Sequence, residues 1–375
     1  MIYLDYSATT PVDEEILDIY CQTTREYIGN PNSSHDLGQK SKNRLYSAMS
    51  TISNIFNCYQ KEIIFTSGAS ESNATAIRGV ADSLASKGRH IITSKLEHKS
   101  ILDEMSRLHT KGYEITYVNI LPNGLLDLKD LENKIREDTI LVSICYVNSE
   151  TGYKQDLKAI RQVINNKNPE VIFHSDMTQA LGKTEIDLSS VDLASMSSHK
   201  IYAPKGVGLL YKNRKISIDR LISGTTSNSP FRGGTPALPL IVAFSEAIKK
   251  YTYSLKENEE KCRKLKEILV ERLKKLPIRI NSNENSISQI VNVSLLDIDS
   301  KEFIDVLSKN GIYVSTTTAC SAINTSSVIL DAITNNDKRI SGTTVRISIS
   351  HLTTETEIYK FVSAFEILYN SMKPR

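Results

Sequence analysis

The chain has 375 residues, and its 46 Lys and Arg residues nearly balance its 43 Asp and Glu residues, which leaves a formal net charge of +3. A net charge this small gives no strong electrostatic field. The composition therefore does not indicate a protein that binds nucleic acid or an anionic membrane surface. The length suits two domains, or one large domain with an appendage, and it allows a sizeable hydrophobic core.

Cysteine usage and the first residues bear on the compartment. The five cysteines are widely spaced and include no Cys-x-x-Cys pair, which argues against a disulfide framework or a structural zinc site. We therefore expect a cytoplasmic protein. Residues 1–5 show no basic stretch followed by an apolar run, and no apolar segment is long enough to span a bilayer. Neither export nor membrane insertion is expected.

Short apolar runs alternate with amphipathic segments through the first two hundred residues. Apolar runs of this length are typical of strands buried on both faces, and the segments between them have helical periodicity. Strand and helix in alternation predict an α/β sheet. The predicted strands are 62–66, 90–93, 115–118, 140–144 and 171–174, and the predicted helices are 72–84, 99–108, 128–135 and 157–164.

The last third of the chain has a different pattern. Charge density rises from residue 240 to residue 276 in a long amphipathic stretch rich in Lys and Glu. Short apolar runs follow at 278–280, 290–295, 312–316 and 345–350, with helical segments around them. This pattern predicts a second, smaller α+β domain.

Two polar residues near the middle of the chain suggest cofactor chemistry. Lys200 ends the run Ser197-Ser198-His199-Lys200, and Asp176 stands at the end of an apolar strand upstream. A lysine that forms a Schiff base with pyridoxal 5'-phosphate (PLP) needs a site where it can be neutral, and the pyridinium nitrogen needs a carboxylate partner. A single lysine among small residues is usually a solvated loop residue. Its combination with Asp176 favours a PLP site.

A phosphate site is indicated where strand 62–66 runs into a helix. The turn contains Gly68, Ala69 and Ser70. Small residues at a helix N-terminus expose backbone N–H groups, and a serine hydroxyl adds a further donor for an anion. An ordinary serine cap is the alternative interpretation, because serine is preferred there in any helix.

Further polar residues could complete such a site. His98 follows a strand and could stack on the cofactor ring and shuttle protons, and Gln179 could donate to the phenolic oxygen. Asn148 ends another strand, and Arg346 offers a planar fork that suits a substrate carboxylate. An arginine on a strand is more often a surface residue.

Cys320 lies in a polar stretch of small residues that follows a predicted strand. A thiol in such a loop can be exposed and can move, which suits a nucleophile, whereas a spectator thiol is the alternative. The other four cysteines, Cys21, Cys58, Cys145 and Cys262, are expected to be structural.

Four segments match the motifs of one enzyme family in order, namely 3–11, 29–35, 65–73 and 198–206. On these segments the chain resembles the cysteine desulfurases, the NifS/IscS-like branch of the class V, fold-type I PLP enzymes, and the resemblance runs nearly from end to end. It implies a fold-type I PLP-dependent transferase with a large mixed-sheet α/β domain and a smaller α+β domain. The large domain would comprise residues 14–250, and the small domain, with the cysteine loop, residues 1–13 and 251–375.

The resemblance also implies roles for individual residues. Lys200 would carry the PLP, Asp176 would pair with the pyridinium, Gln179 would meet the phenolic oxygen and His98 would stack on the ring. Thr235 would reach the phosphate of a neighbouring subunit, which implies a homodimer. The full cofactor-binding set is Ala69, Ser70, His98, Asp176, Gln179, Ser197, His199, Lys200 and Thr235.

For the reaction, the resemblance implies conversion of L-cysteine to L-alanine. Asn148 and Arg346 would bind the substrate carboxylate, and Lys200, His98 and Cys320 would be the catalytic residues. Cys320 would attack the substrate sulfur, become a persulfide and pass the sulfur to a protein acceptor, either a scaffold or a sulfur carrier. Whether the sulfur goes to iron-sulfur cluster assembly, tRNA thiolation or another pathway stays open at this point.

Other functions remain open at this point. The chain could be a selenocysteine lyase or another class V aminotransferase-like enzyme, or a PLP-binding scaffold with weak catalysis. An aminotransferase would have no use for Cys320, and a scaffold would bind PLP without releasing alanine. Residues 224–235 depart from the usual family pattern. The contacts between subunits that the family makes with this segment are therefore not implied by the resemblance.

Overall fold

The structure is a computed structural model of the chain, and it describes residues 1–224, 229–316 and 326–373. Cys320 lies outside the described residues. The described part contains twelve strands and twelve α-helices. The strands are β1 (Ile2–Tyr3), β2 (Ile63–Thr66), β3 (His90–Ser94), β4 (Glu114–Val118), β5 (Thr139–Ser143), β6 (Ile172–Asp176), β7 (Leu193–Ser197), β8 (Gly208–Lys212), β9 (Arg279–Ile280), β10 (Ile290–Ser294), β11 (Ile312–Tyr313) and β12 (Thr344–Ser348).

The helices cover the sheets and range from a single turn to more than five turns. They are α1 (Glu14–Glu26), α2 (Asp36–Phe56), α3 (Ala69–Ser83), α4 (Lys99–Thr110), α5 (Leu128–Lys134), α6 (Leu157–Lys167), α7 (Leu238–Tyr253), α8 (Leu255–Leu273), α9 (Ser300–Lys309), α10 (Val328–Ile333), α11 (Lys338–Ser341) and α12 (Glu355–Met372). No described helix has both the length and the apolar composition that a bilayer crossing requires.

The large sheet has seven strands in the order β2-β8-β7-β6-β5-β3-β4. Strand β8 runs antiparallel to β2 and β7, and the remaining neighbours are parallel. Because β2 and β7 both oppose β8, the carboxyl ends of β2, β3, β5, β6 and β7 share one edge. Ligand sites in α/β sheets form at this edge.

The sequence predicted these central strands well. Strands β2, β3, β5 and β6 are buried along their whole length, as expected where helices cover both faces of a sheet. All five predicted strands and all four predicted helices are present with small shifts at their ends. The largest shifts are at α3, which begins at Ala69 rather than at residue 72, and at α6, which ends at Lys167 rather than at residue 164. The predicted α/β fold class with a mixed sheet is confirmed.

The last third of the chain forms a separate hydrophobic core. The amphipathic stretch 240–276 becomes two helices, α7 and α8, and the apolar runs beyond it become strands. Strands β12, β10 and β9 form an antiparallel sheet, and β1 pairs with β11 in parallel. Their core includes Phe303, Val345, Phe361 and Phe365 together with Leu4 from the N-terminus.

The domain boundary remains a proposal. The division into residues 14–250, and residues 1–13 with 251–375, is supported by the membership of this second core. Leu4 packs there with α8 and α12, whereas Ile16 and Ile248 pack in the core beside the large sheet.

Candidate active site

A cavity of about 420 Å³ opens at the carboxyl edge of the large sheet. Its wall combines the residues that follow β2, β3, β5, β6 and β7 with one side chain from β12. Most residues selected from the sequence lie on this wall, namely Ala69, Ser70, His98, Asp176, Gln179, Ser197, His199, Lys200 and Arg346.

Asp176, the last residue of β6, provides a buried carboxylate. Its Oδ1 accepts a hydrogen bond from the backbone N–H of Thr178 at 2.9 Å, and its Oδ2 accepts one from Nδ2 of Asn73 at 2.9 Å. Both bonds fix the orientation of the carboxylate at the end of β6. A fixed anion of this kind fits the protonated ring nitrogen of PLP.

His98 follows β3 and caps α4. Its Nδ1 accepts a hydrogen bond from the backbone N–H of Ser100 at 3.1 Å, so the proton of the neutral ring sits on Nε2. Burial lowers the pKa of His98 from its ordinary value, while Asp176 opposes that shift. The result is a flat, neutral imidazole, which suits both ring stacking and proton handling.

Lys200 follows β7 and reaches back to the N-terminal segment. Its Nζ donates to the backbone oxygens of Ser7 at 2.7 Å and Ala8 at 2.6 Å. These bonds hold the amine on the cavity wall, on the same wall as Asp176 and His98.

The turn between β2 and α3 leaves room for an anion. Gly68 caps α3 without a side-chain hydrogen bond, and a Cβ placed on Gly68 would meet only Ser197 Oγ within 4 Å, at 4.0 Å. A Cβ on Gly208 would lie 2.6 Å from the Gly68 backbone, so glycine at 208 lets β8 pass close behind this turn. The α3 N-terminus and the hydroxyls of Ser70 and Ser197 form a cradle that fits a phosphate.

Arg346 lies in the middle of β12 and is only 1% exposed. One terminal nitrogen is 2.8 Å from Asp5 Oδ1, and the other donates to the backbone oxygen of Ser149 at 3.1 Å. Its Nε is buried without a hydrogen-bond partner among the described residues. A buried cation with an open donor at a cavity wall suits a substrate carboxylate.

Asn148 and Thr235 do not line the cavity. Nδ2 of Asn148 donates to the backbone oxygen of Leu96 at 2.8 Å, and its Oδ1 accepts the backbone N–H groups of Glu150 and Thr151. Asn148 therefore organises the turn that presents the Ser149 oxygen to Arg346. Direct contact of Asn148 with substrate remains a prediction.

Thr235 is exposed and lines a smaller cavity nearby. The same cavity includes Arg232, whose Nε lies 3.0 Å from Oε1 of Glu71 on α3. This ion pair ties the segment that carries Thr235 to the phosphate cradle. Contact of Thr235 with a neighbouring subunit remains a prediction.

Several supporting residues received no role from the sequence. Asn73 lies within the 65–73 motif and Asp5 within the 3–11 motif, which is the only signal that could have found them. Glu97 is a third case: Oε1 accepts from Ser94 Oγ and from the backbone N–H of Cys145, at 2.8 and 2.9 Å. Burial raises the pKa of Glu97 to about 8, so a neutral acid lies beside His98 at neutral pH.

Comparison with known proteins gives a consistent result. The chain matches the family Aminotransferase class-V over residues 2–361. It is 36% identical over 365 residues to "Cysteine desulfurase IscS" of Neisseria meningitidis serogroup C (strain 053442), which covers 95% of this chain and 89% of that protein.

Solved structures agree with this match. The structure of a "NIFS-LIKE PROTEIN" is 34% identical, with a TM-score of 0.93 and coverage of 98% of this chain and 99% of that one. "SspA in complex with cysteine" is 31% identical, with a TM-score of 0.83 and coverage of 94% and 100%. The chain therefore belongs to the class-V aminotransferase family and, within it, to the cysteine desulfurases.

Proposed function

We propose that this cysteine desulfurase binds PLP in the cavity, takes L-cysteine as its substrate, releases L-alanine and collects the sulfur on Cys320. The observation that supports this best is that Lys200, Asp176, His98 and the buried Arg346 line one cavity. The solved structure of the relative SspA in complex with cysteine supports the choice of substrate.

The residues present fit PLP. When bound, PLP supplies an electron sink for bond changes at the substrate Cα. Lys200 Nζ would hold the cofactor and move protons, and Asp176 would keep the ring nitrogen protonated. Gln179 would donate to the phenolic oxygen, and the neutral His98 ring would stack on the cofactor. The phosphate would be held by Ala69, Ser70, Ser197 and His199, with Thr235 supplied by the second subunit of a homodimer.

Arg346 would orient the substrate. Its buried Nε has no hydrogen-bond partner among the described residues, so this donor is left for an oxygen of the substrate carboxylate. Asn148 would act through its turn, which fixes the Ser149 oxygen against Arg346.

Cys320 is the proposed nucleophile because the alternative thiol at the cavity is unsuited to the task. Cys145 lines the cavity, but burial raises the pKa of its thiol well above the ordinary value. Its Sγ also donates to the backbone oxygen of Leu96 at 3.3 Å. A thiol held in the protonated state is a poor nucleophile.

The residues that flank Cys320 in the chain are attached to the site on both sides. Ser315 exchanges backbone hydrogen bonds with Arg346, at 2.6 and 3.2 Å. Ser327 Oγ donates to Oε2 of Glu150, in the turn that contacts Arg346, at 2.6 Å. Both attachments bring the ends of the cysteine segment to the substrate-binding arginine, which supports sulfur transfer to Cys320.

The sulfur would then pass to a protein acceptor, a scaffold or a sulfur carrier, in the cytoplasm. The four described cysteines are free thiols, which supports a reducing compartment. Selenocysteine as the substrate is the alternative within the same chemistry.

The deciding experiment measures alanine released from L-cysteine by the PLP-loaded protein with a reductant present. Cys320→Ala is compared with wild type, and intact mass before reduction looks for one added sulfur. We expect Cys320→Ala to lose turnover and the added sulfur. Cys145→Ala tests the competing thiol, and Cys21→Ser, which changes a thiol outside the cavity, is the control.

Three results would contradict the proposal in different ways. Turnover that survives Cys320→Ala would indicate another PLP chemistry. Turnover that requires Cys145 would mean that Cys145, and not Cys320, accepts the sulfur. Bound PLP without alanine release would indicate a scaffold.

A further inference from the structure

Lys183 is a buried lysine that none of these steps uses. It lies in the segment after β6, its residue is 7% exposed, and its Nζ donates to Oε1 of Gln179 at 2.8 Å. Burial is costly for an ammonium group, and it lowers the pKa of Lys183 to about 7. Its partner Gln179 lines the cavity, and a buried charge kept at such a cost next to a cavity residue is a candidate for a functional role.

The contact with Lys183 fixes which way the Gln179 amide points. Lys183 Nζ donates to the amide oxygen, and in its charged form the ammonium group can only donate, so the atom that faces it is the oxygen. The amide nitrogen therefore faces the other way, and it donates to the backbone oxygen of Ser7 at 2.9 Å. This resolves an orientation that side-chain shape alone leaves ambiguous.

The same backbone oxygen connects the amide to the catalytic lysine. Lys200 Nζ donates to the Ser7 oxygen at 2.7 Å. Hydrogen bonds thus link Lys183, Gln179, Ser7 and Lys200 in one chain. The amide nitrogen carries two hydrogens, and after one is given to Ser7 the second is left for a group in the cavity.

We propose that Lys183 is a positioning residue that holds the Gln179 amide with its NH₂ group toward Ser7 and the cavity. This inference rests on the proposed function, because the group to be met there is the phenolic oxygen of PLP. Without Lys183 the amide is held by its bond to the Ser7 oxygen alone, and it can rotate away from the position that serves the phenolic oxygen. The donor to the cofactor is lost although Gln179 is still present.

Other charged groups near Lys183 could imitate this effect. Lys200 and Arg346 act on its charge as like charges, and Cys262 acts on it from α8. The charge of Lys183 is also felt by His199. The test must therefore separate an effect carried by Gln179 from a direct effect of charge.

The test is a pH titration of the absorbance of bound PLP in wild type and Lys183→Met. A donor to the phenolic oxygen stabilises the deprotonated chromophore, so its loss raises the midpoint. We expect a rise of about half a pH unit or more, the equivalent of one hydrogen bond. Lys154→Met is the matched control, because Lys154 is exposed and donates to Thr184 Oγ1, and it should not move the midpoint.

The Gln179→Ala background separates the two explanations. If Lys183 acts through Gln179, adding Lys183→Met to Gln179→Ala causes no further rise. If the rise persists in that background, a direct charge effect is responsible and the positioning role is overturned. If Lys183→Met folds poorly, Lys183→Gln serves as the second variant. It keeps an N–H donor for the Gln179 oxygen, so its titration midpoint should lie close to that of wild type.

The experiment also distinguishes this inference from the proposed function. A wild-type protein that binds PLP but gives the same midpoint after Lys183→Met overturns the positioning role alone. A wild-type protein that binds no PLP overturns both.

Discussion

The two flanks of the cavity hold their charged groups in different ways. On the flank of the large sheet, Asp176 and His98 stand at strand ends, and neighbours in the same α/β layer, Asn73 and Ser100, fix them. On the flank formed by β12, Arg346 depends on Asp5, which is 341 positions away in the chain.

The difference concerns what each flank has to do. The large-sheet flank would hold a cofactor throughout the reaction, so groups fixed by neighbours within one α/β layer are sufficient. The Arg346 flank would bind and release substrate, and its arginine connects β12 to the N-terminal segment and to the Ser149 turn. Substrate affinity should therefore depend on contacts between the core of the large sheet and the core of the last third of the chain, whereas cofactor binding should not.

Asp176→Asn should have the largest effect. The substitution removes the charge opposite the ring nitrogen, and we expect alanine release to fall by roughly 10³-fold, as when a fixed electrostatic group is lost. Folding should be retained, because Asn73 Oδ1 is buried without a partner and a flip of the Asn73 amide can present it to the new NH₂ group. The measurements are alanine release and thermal unfolding.

Asp219→Asn, a change to an exposed aspartate, is the control for Asp176→Asn. If Asp176→Asn lost activity only in proportion to lost stability, the carboxylate would be a structural group. The large-sheet flank would then not be the cofactor side of the cavity.

Much of the fold could be predicted from the sequence. Continuous apolar runs identify β2, β3, β5 and β6, because strands buried on both faces leave this pattern. Strands β7 and β8 were both missed. The β7 sequence Leu-Ala-Ser-Met-Ser is short of β-branched and aromatic residues, and the strand owes its place to its neighbours β6 and β8.

The site was predicted in its main members but not in their supports. Lys200, Asp176 and His98 stand in recognisable local patterns. Asn73, which holds Asp176 from 103 positions away, and Asp5, which holds Arg346, are contacts between distant segments. Only the three-dimensional arrangement brings such partners together, so no local pattern reveals them.

Arg346→Lys should have the next largest effect. Lysine keeps the positive charge opposite Asp5 but loses the planar fork. We expect KM for L-cysteine to rise roughly 10- to 100-fold with a smaller change in kcat, because the lost contact is made in both ground and transition states. Steady-state kinetics of alanine release measure this effect.

Arg339→Lys, at an exposed arginine of α11, is the matched control and should leave KM unchanged. The absorbance of bound PLP should also stay as in wild type after Arg346→Lys. A loss of PLP binding in this variant would show that the two flanks are not separate in function.

His174 gives the smallest effect and tests how rigidly the large-sheet flank is built. It lies on β6, with Nδ1 2.9 Å from Ser143 Oγ and Nε2 3.0 Å from Ser195 Oγ. Burial lowers the pKa of His174 to about 4, from an ordinary value of about 6.5 in the unfolded chain. The unfolded chain therefore binds this proton first as the pH falls.

The free energy of unfolding should accordingly be highest above pH 6.5 and fall toward pH 4. From pH 7 to pH 5 the contribution of His174 is a loss of about 2 kcal/mol. Burial also lowers the pKa values of His199 and His351 to about 4. These two histidines therefore also lower the free energy of unfolding as the pH falls, and they do so equally in wild type and in the variant His174→Asn. Urea unfolding at the two pH values should thus show a loss smaller by about 2 kcal/mol in His174→Asn. An equal loss in wild type and His174→Asn would mean that His174 takes up its proton in the folded protein as readily as in the unfolded chain. Strand β6, which ends at Asp176, would then be less rigid than its buried hydrogen bonds indicate.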